Sequence, residues 1–274
     1  MTKGVVHTAP LTGVSLALSS GGVRGLAHVG ALKALDRHQI PITAVAGVSM
    51  GGLIGALYCT GFTGEMIEEV VRVIRRNDWI DFSFSRMGMV RGRKLEDLIQ
   101  MLTRGNHFEQ CSPPLRVAAV DIERGVEEVL DSGPLVDAIR ATVSVPGIFS
   151  PVEIGGKLLV DGGIINRVPT HLARRVPHSV VVAVDVGVEL VSSVDSLFDV
   201  LFQTFDIMAR EISQGKPCDA DFTVTPDLPI TRDTYFTNVD ECIRAGEQAV
   251  EEVVPQLKEM LQGEERSWQN PISS

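Results

Sequence analysis

A chain of 274 residues, 44% hydrophobic and 22% charged, has the makeup of a globular protein with one large α/β domain or two small ones, which sets intrinsic disorder aside. A formal net charge of −10 excludes nucleic acid as the main partner, because phosphate backbones are held by clustered Lys and Arg, and it weakens electrostatic docking on anionic membranes. Arg86, Arg91, Arg93 and Lys94 still leave room for a local basic patch. The four cysteines, Cys59, Cys111, Cys218 and Cys242, are widely spaced, with no Cys-x-x-Cys and no histidine pair nearby, so they read as reduced thiols and not as metal ligands.

In chain order, residues 1–11 lack a continuous apolar stretch and do not read as a signal peptide. No apolar run is long enough to span a bilayer, and the longest, 180–186, is strand-like. These readings predict a soluble, cytoplasmic protein whose membrane contact, if any, is peripheral. A first β-loop-α unit has a strand over 14–19, a turn over 20–24 and a helix over 25–38 whose apolar face carries Leu26, Val29, Leu32 and Leu35. A second unit follows, with a buried strand over 42–48, Ser49 at the turn and a helix rich in small residues over 51–59. Helices are predicted over 63–76, 95–102, 134–142, 196–213 and 239–262. Further strands are predicted over 115–121, 127–130, 157–160, 180–185 and 222–225. Residues 87–93 read as a surface loop, and 263–274 as a frayed tail. The alternation implies a three-layer α/β/α fold with a mostly parallel central sheet, kept as a single domain over 1–274 with its core at about 14–225.

Three segments carry chemistry. In the first, Ser20-Gly21-Gly22-Val23-Arg24-Gly25, backbone N–H groups at the start of a helix form a concave anion site. A P-loop would need Gly-Lys-Ser/Thr, and a dinucleotide fingerprint would need glycine at Ser20, so the oxyanion of an acyl intermediate suits this turn better. The second, Gly47-Val48-Ser49-Met50-Gly51, matches Gly-x-Ser-x-Gly. A serine on a strained strand-to-helix turn projects its hydroxyl away from the sheet, and the flanking glycines remove Cβ atoms that would clash. The third, Asp161-Gly162-Gly163, follows a strand, where open α/β sheets place their sites. The first and third, taken alone, are also ordinary turns.

A nucleophilic serine usually works with a histidine, and six are present. His7 lies in the N-terminal arm, His38 ends a helix, His28 reads as a packing or capping residue, and His107 is in a loop. His171 and His178 follow Asp161 and stay open as late triad members, although neither has a strand-end setting. An aspartate can serve instead: its carboxylate is ionised at neutral pH, and burial makes it a stronger base.

Together these segments resemble the patatin-like phospholipases, in the group of short bacterial members. The flanks extend the resemblance: Arg24-Gly25-Leu26-Ala27-His28-Val29-Gly30, the segment from Ala141 through Thr142 to Phe149, and Asn166 with Pro169. It covers roughly 14–169. The resemblance implies a serine acyl hydrolase that cleaves lipid carboxylic esters through an acyl-enzyme, with Ser49 as nucleophile and Asp161 as base. The implied oxyanion hole lies around Gly21, Gly22 and Val23, and neither metal nor cofactor is required. Arg24 would fix that turn or face an anionic headgroup. Ser20 departs from the glycine many members carry there.

Three rivals stand beside this reading. They are a Ser-Asp-His α/β-hydrolase, an acyl-carrier acyltransferase (which would favour histidine where Val48 stands) and a non-catalytic regulatory protein that keeps the fold. Trp79, Ile80, Phe82, Phe84, Met87 and Met89, within 78–93, suit either a lid that meets lipid or ordinary packing. The helices over 196–213 and 239–262 suit either subunit pairing in a homo-oligomer or coverage of the sheet.

Overall fold

The computed structural model describes residues 11–74, 78, 81–85, 87–188, 190, 194–214, 218–228 and 238–268. Strands β1 (Gly13–Leu18), β2 (Ile42–Val48), β5 (Leu115–Asp121), β10 (Ser179–Val184) and β11 (Phe222–Val224) run parallel in the order β11-β10-β1-β2-β5. The sheet turns antiparallel beyond β5, with β9 (Lys157–Asp161) and β8 (Val152–Ile154) in line and β6 (Val126–Leu130) also paired to β5. The fold is therefore the expected α/β architecture with a mostly parallel central sheet and flanking helices. No helix among the described residues is long and apolar enough to cross a membrane.

Side chains alternate along each strand, and here they divide the two faces by size. Val14, Leu16 and Leu18 of β1 and Val180, Val182 and Val184 of β10 point into the main core. There they meet α1 (Ala27–Arg37), α2 (Met50–Cys59) and α8 (Val239–Trp268). The intervening residues are mostly small. Ala17, Ala46, Ala118, Val181 and Ala183 cluster with Leu172 and Ala173 of the short α6 (Thr170–Ala173), which sits close enough for Ser15 Oγ to donate to the Ala173 carbonyl at 2.9 Å. In the main core, α1 and α8 touch through backbone. A Cβ on Gly30 would overlap the Ile243 carbonyl, and one on Gly246 would overlap the Ala27 carbonyl. Around that crossing, Lys33 bridges Glu68 of α3 (Gly64–Val73) at 2.6 Å and Glu247 of α8 at 3.5 Å, while Arg37 pairs with Glu247 and Glu251. Thr63 caps α3, its Oγ1 accepting from the Met66 N–H at 3.2 Å.

The structure departs from the sequence reading in four places. Residues 87–93 are not a plain surface loop: Gly88–Val90 form β4, antiparallel to β3 (Phe82–Ser85) and parallel to β7 (Gly147–Phe149), and Val90 is buried. One partner of β4 is local, β3, and the other, β7, is distant in sequence. Arg140 of α5 (Leu135–Thr142) clamps the pair by donating to the Arg91 carbonyl at 2.7 Å and lying over the Phe149 ring at 5.2 Å. The second departure is at the next helix, α4 (Arg93–Leu102), which begins earlier than expected because Asp81 accepts from the Gly92 and Arg93 N–H groups. Third, β7 and β8 are too short to show a periodicity. Fourth, α8 continues to Trp268, past the boundary at 262, while α7 (Leu197–Gln214) matches its expected span. His7, Arg86, Trp79 and Ile80, and with them part of the proposed lid, lie outside the described residues.

The pairing around β5 places the site. β2 pairs with Leu115–Ala118, whereas β9 pairs with Ala119, Val120 and Asp121. β6 overlaps both registers, so it must occupy the other edge, and β2 and β9 follow one another along the same edge of β5. Val48 sits opposite Ala118, and Asp161 sits opposite Ala119. The last residue of β2 and the last residue of β9 thus meet head to head. The rule for parallel strands would put Asp161 at the site from its strand end alone. The actual cause is different, because β9 is antiparallel to β5 and only this register brings its end to the site.

Candidate active site

Ser49 occupies the turn between β2 and α2 with φ 54° and ψ −123°, a left-handed conformation that costs a non-glycine residue about 1–3 kcal/mol. Its surroundings hold that strain. A Cβ on Gly47 would lie 2.6 Å from the Gly51 carbonyl oxygen, and one on Gly51 would overlap the Leu18 carbonyl, so the elbow closes only with glycine at both places. The Ser49 N–H donates to Thr142 Oγ1 at 2.9 Å, and that hydroxyl donates to the Ala118 carbonyl at 2.6 Å. Val48 is buried below, and Met50 begins α2 with its side chain where a Cβ on Gly25 would have to go.

Asp161 is buried, at 4% exposure, with the Ser49 hydroxyl beside its carboxyl. Its Oδ1 also takes the Gly163 N–H at 2.8 Å, while its own N–H donates to the Ser144 carbonyl at 3.0 Å. Gly162 lies against the Ala118 carbonyl, and Gly163 lies beside Ser20 Oγ. Burial pushes the Asp161 carboxyl up from 3.8 to about 6, against the opposing pull of the Ser49 hydroxyl, the Gly163 N–H and the Arg167 guanidinium.

The glycine-rich turn stands beside this pair: the Leu18 and Ser19 carbonyls pack on Gly51, and Gly25 packs on Met50. Gly22, Val23, Arg24 and Gly25 form a 3-10 turn running directly into α1, preceded by Gly21 and entered through Gly22 at φ 55°. Tethers from four directions hold it. Arg24 donates to the Val186 carbonyl at 2.7 Å and 3.2 Å, which favours the turn-fixing role expected of it. Ser19 Oγ accepts from the Val186 N–H at 3.1 Å, and the Ser20 N–H donates to the Arg167 carbonyl at 2.9 Å. His28 Nε2 lies 2.8 Å from the Ser19 carbonyl oxygen. A carbonyl only accepts, so this nitrogen carries the proton and the buried Nδ1 is left without a partner. Burial lowers the His28 pKa to about 4, against the opposing hydrogen bond to Ser19 and the charge of Asp185, so the ring is neutral at pH 7.

His171 is engaged elsewhere, and His178 precedes β10, at the end of the parallel strands opposite to Ser49. His171 Nε2 is 2.7 Å from Glu127 Oε2, and its Nδ1 faces the Asn166 amide at 3.1 Å. His178 lies in the loop before β10, its carbonyl accepting from Thr12. Sequence reasoning gave no role to Thr142 or Arg167. Each sits inside a segment that carried the resemblance, but a hydrogen bond to the elbow or the turn is visible only after folding. Among the described residues, no group of three His, Cys, Asp or Glu side chains is placed to hold a metal ion.

The patatin-like phospholipase family model matches residues 16–174, a span that includes the glycine-rich turn, Ser49 and Asp161. An uncharacterized NTE family protein of Mycobacterium tuberculosis is 35% identical over 158 residues, covering 57% of this chain and 44% of that protein. The human patatin-like phospholipase domain-containing protein 6 is 30% identical over 192 residues, 65% of this chain and 14% of that protein. The chain therefore matches less than half the length of these curated relatives. Among solved structures, VipD from Legionella pneumophila superposes with a TM-score of 0.61 at 12% identity, covering 90% of this chain and 67% of that one, which is a likeness of fold.

Proposed function

Because the chain belongs to the patatin-like phospholipase family, we propose that it is a serine acyl hydrolase acting on lipid carboxylic esters. The observation that carries the reading is the strained elbow of Ser49 at the end of β2, meeting the end of β9 where the buried Asp161 lies. In this reaction Ser49 Oγ attacks the ester carbonyl carbon while Asp161 accepts the hydroxyl proton. The N–H groups of Gly21, Gly22 and Val23 hold the resulting oxyanion. Collapse of the tetrahedral intermediate breaks the ester C–O bond, Asp161 returns the proton to the departing alcohol, and the acyl group stays on Ser49. Asp161 then takes a proton from water as the hydroxide adds to the acyl carbon, and it returns that proton to Ser49 Oγ as the C–Oγ bond breaks and a free carboxylic acid leaves. Every proton is accounted for by the dyad and water, so the chemistry calls for no metal or cofactor. An aspartate raised to about 6 is still ionised at neutral pH, yet it is a better base than an exposed one. The substrate is the expected partner, met at a membrane surface from the cytoplasmic side.

The test is labelling by a fluorophosphonate probe alongside p-nitrophenyl ester hydrolysis. Wild type should label and turn over, Ser49→Ala should do neither, and Asp161→Asn should lose turnover on the order of 10³-fold or more while staying folded. A Ser49→Ala variant as active as wild type sinks the proposal. A wild type that neither labels nor hydrolyses would move a regulatory role to first place.

A further inference from the structure

Arg167 lies on the segment that leaves Asp161, between Asn166 and Pro169, and its side chain is 9% exposed. Its Nη2 donates to the Ser20 carbonyl at 3.0 Å and to the Gly187 carbonyl at 2.9 Å, and its own carbonyl accepts the Ser20 N–H at 2.9 Å. One residue thereby engages both backbone groups of Ser20, where the glycine-rich turn begins, and ties them to the loop beyond β10. Its Nη1 faces Asp206 of α7 at 3.8 Å. A guanidinium this deep is a costly way to fill space, because burial disfavours its charge and must be offset by partners.

Resting on the hydrolase reading above, we propose that Arg167 is a positioning residue of that reaction: a single guanidinium that keeps the glycine-rich turn in register with the dyad and acts as counter-charge to the Asp161 carboxylate. The groups facing each partner define what its removal does. Asp161 is met by the Ser49 hydroxyl, the Gly163 N–H and Arg167. Arg167 is met by Asp206 from α7, Asp185 from the end of β10, Asp161 itself and, as a like charge, Arg24 from the turn. Without Arg167 the ionised form of Asp161 loses its facing positive charge, so its carboxyl titrates at higher pH. The turn also loses one of its anchors, the one at the Ser20 carbonyl, so the oxyanion donors drift from the carbon under attack.

The test follows kcat and kcat/KM for p-nitrophenyl butyrate against pH in wild type, Arg167→Met and Arg167→Lys, with far-UV circular dichroism to check folding. In the Met variant, kcat should fall on the order of tenfold or more, and the acid limb of kcat/KM should move up by about one pH unit. The Lys variant should keep the limb in place and still show reduced kcat, since one ammonium cannot span the two carbonyls as the planar fork does. The inference is overturned if the folded Met variant keeps both kcat and limb, or if both variants lose kcat with the limb unmoved, as a merely structural residue would behave. Should the Met variant not fold, wild-type kcat in the Lys variant overturns the inference and reduced kcat supports it. A wild type without Ser49-dependent turnover removes the hydrolase reading together with this one. Ser49-dependent turnover with unaltered Arg167 variants removes this one alone.

Discussion

Two residues in this protein are held in states they would not adopt alone. Ser49 is kept at positive φ by the Thr142 hydroxyl beneath its N–H and by the absence of side chains on Gly47 and Gly51. Asp161 is kept in a site that disfavours its charge, and the Ser49 hydroxyl, the Gly163 N–H and the charge of Arg167 restore part of what burial removes. The second state sets a pH dependence. The base must be ionised to accept the serine proton, so kcat/KM should fall about tenfold per pH unit below about 6, where an exposed aspartate would hold activity to about 4. A profile measured from pH 4 to 8 with a neutral ester checks this, and full activity at pH 4.5 contradicts it. At this scale the sequence was most legible where chemistry restricts residue type. Ser49, Asp161 and the turn could be named because few residues tolerate an elbow or provide a carboxylate. Thr142 and Arg167 could not, because their contribution lies in which backbone group they reach.

Among the elements, the long helices and the strands β1, β2, β5 and β10 follow from hydrophobic periodicity that tertiary contacts leave intact. The exceptions are instructive for a shared reason. β4, β7 and β8 are strands because a neighbour offers hydrogen bonds, and the three residues Gly88–Val90 are too few to carry a pattern of their own. The α1–α8 crossing is another case, where two glycines let backbones approach closer than any side chain permits. Gly246→Ala should therefore destabilise the fold by about 1–3 kcal/mol despite alanine's better helix propensity. Urea unfolding measures this, and a variant as stable as wild type would mean that α8 shifts freely on α1.

For the whole molecule, the buried carboxylate is also a stability term. The folded Asp161 carboxyl, at about 6, binds its proton more tightly than the ordinary 3.8, so its stabilising contribution is full below about 4 and is lost as pH rises towards 6. Asp161→Asn should accordingly raise stability at pH 7.5 by up to about 3 kcal/mol and should bring little gain at pH 4. Thermal unfolding at the two pH values reads this, and an equal effect at both would contradict it. The α/β class, the family and the chemical identity of the candidate dyad are legible in the residues alone, because periodicity and motif residues are local properties that survive folding. That Ser49 and Asp161 lie side by side is a product of folding. They are joined because β2 and β9 share one edge of β5, with Val48 and Asp161 opposite consecutive residues, and such a register is fixed by pairing between distant segments.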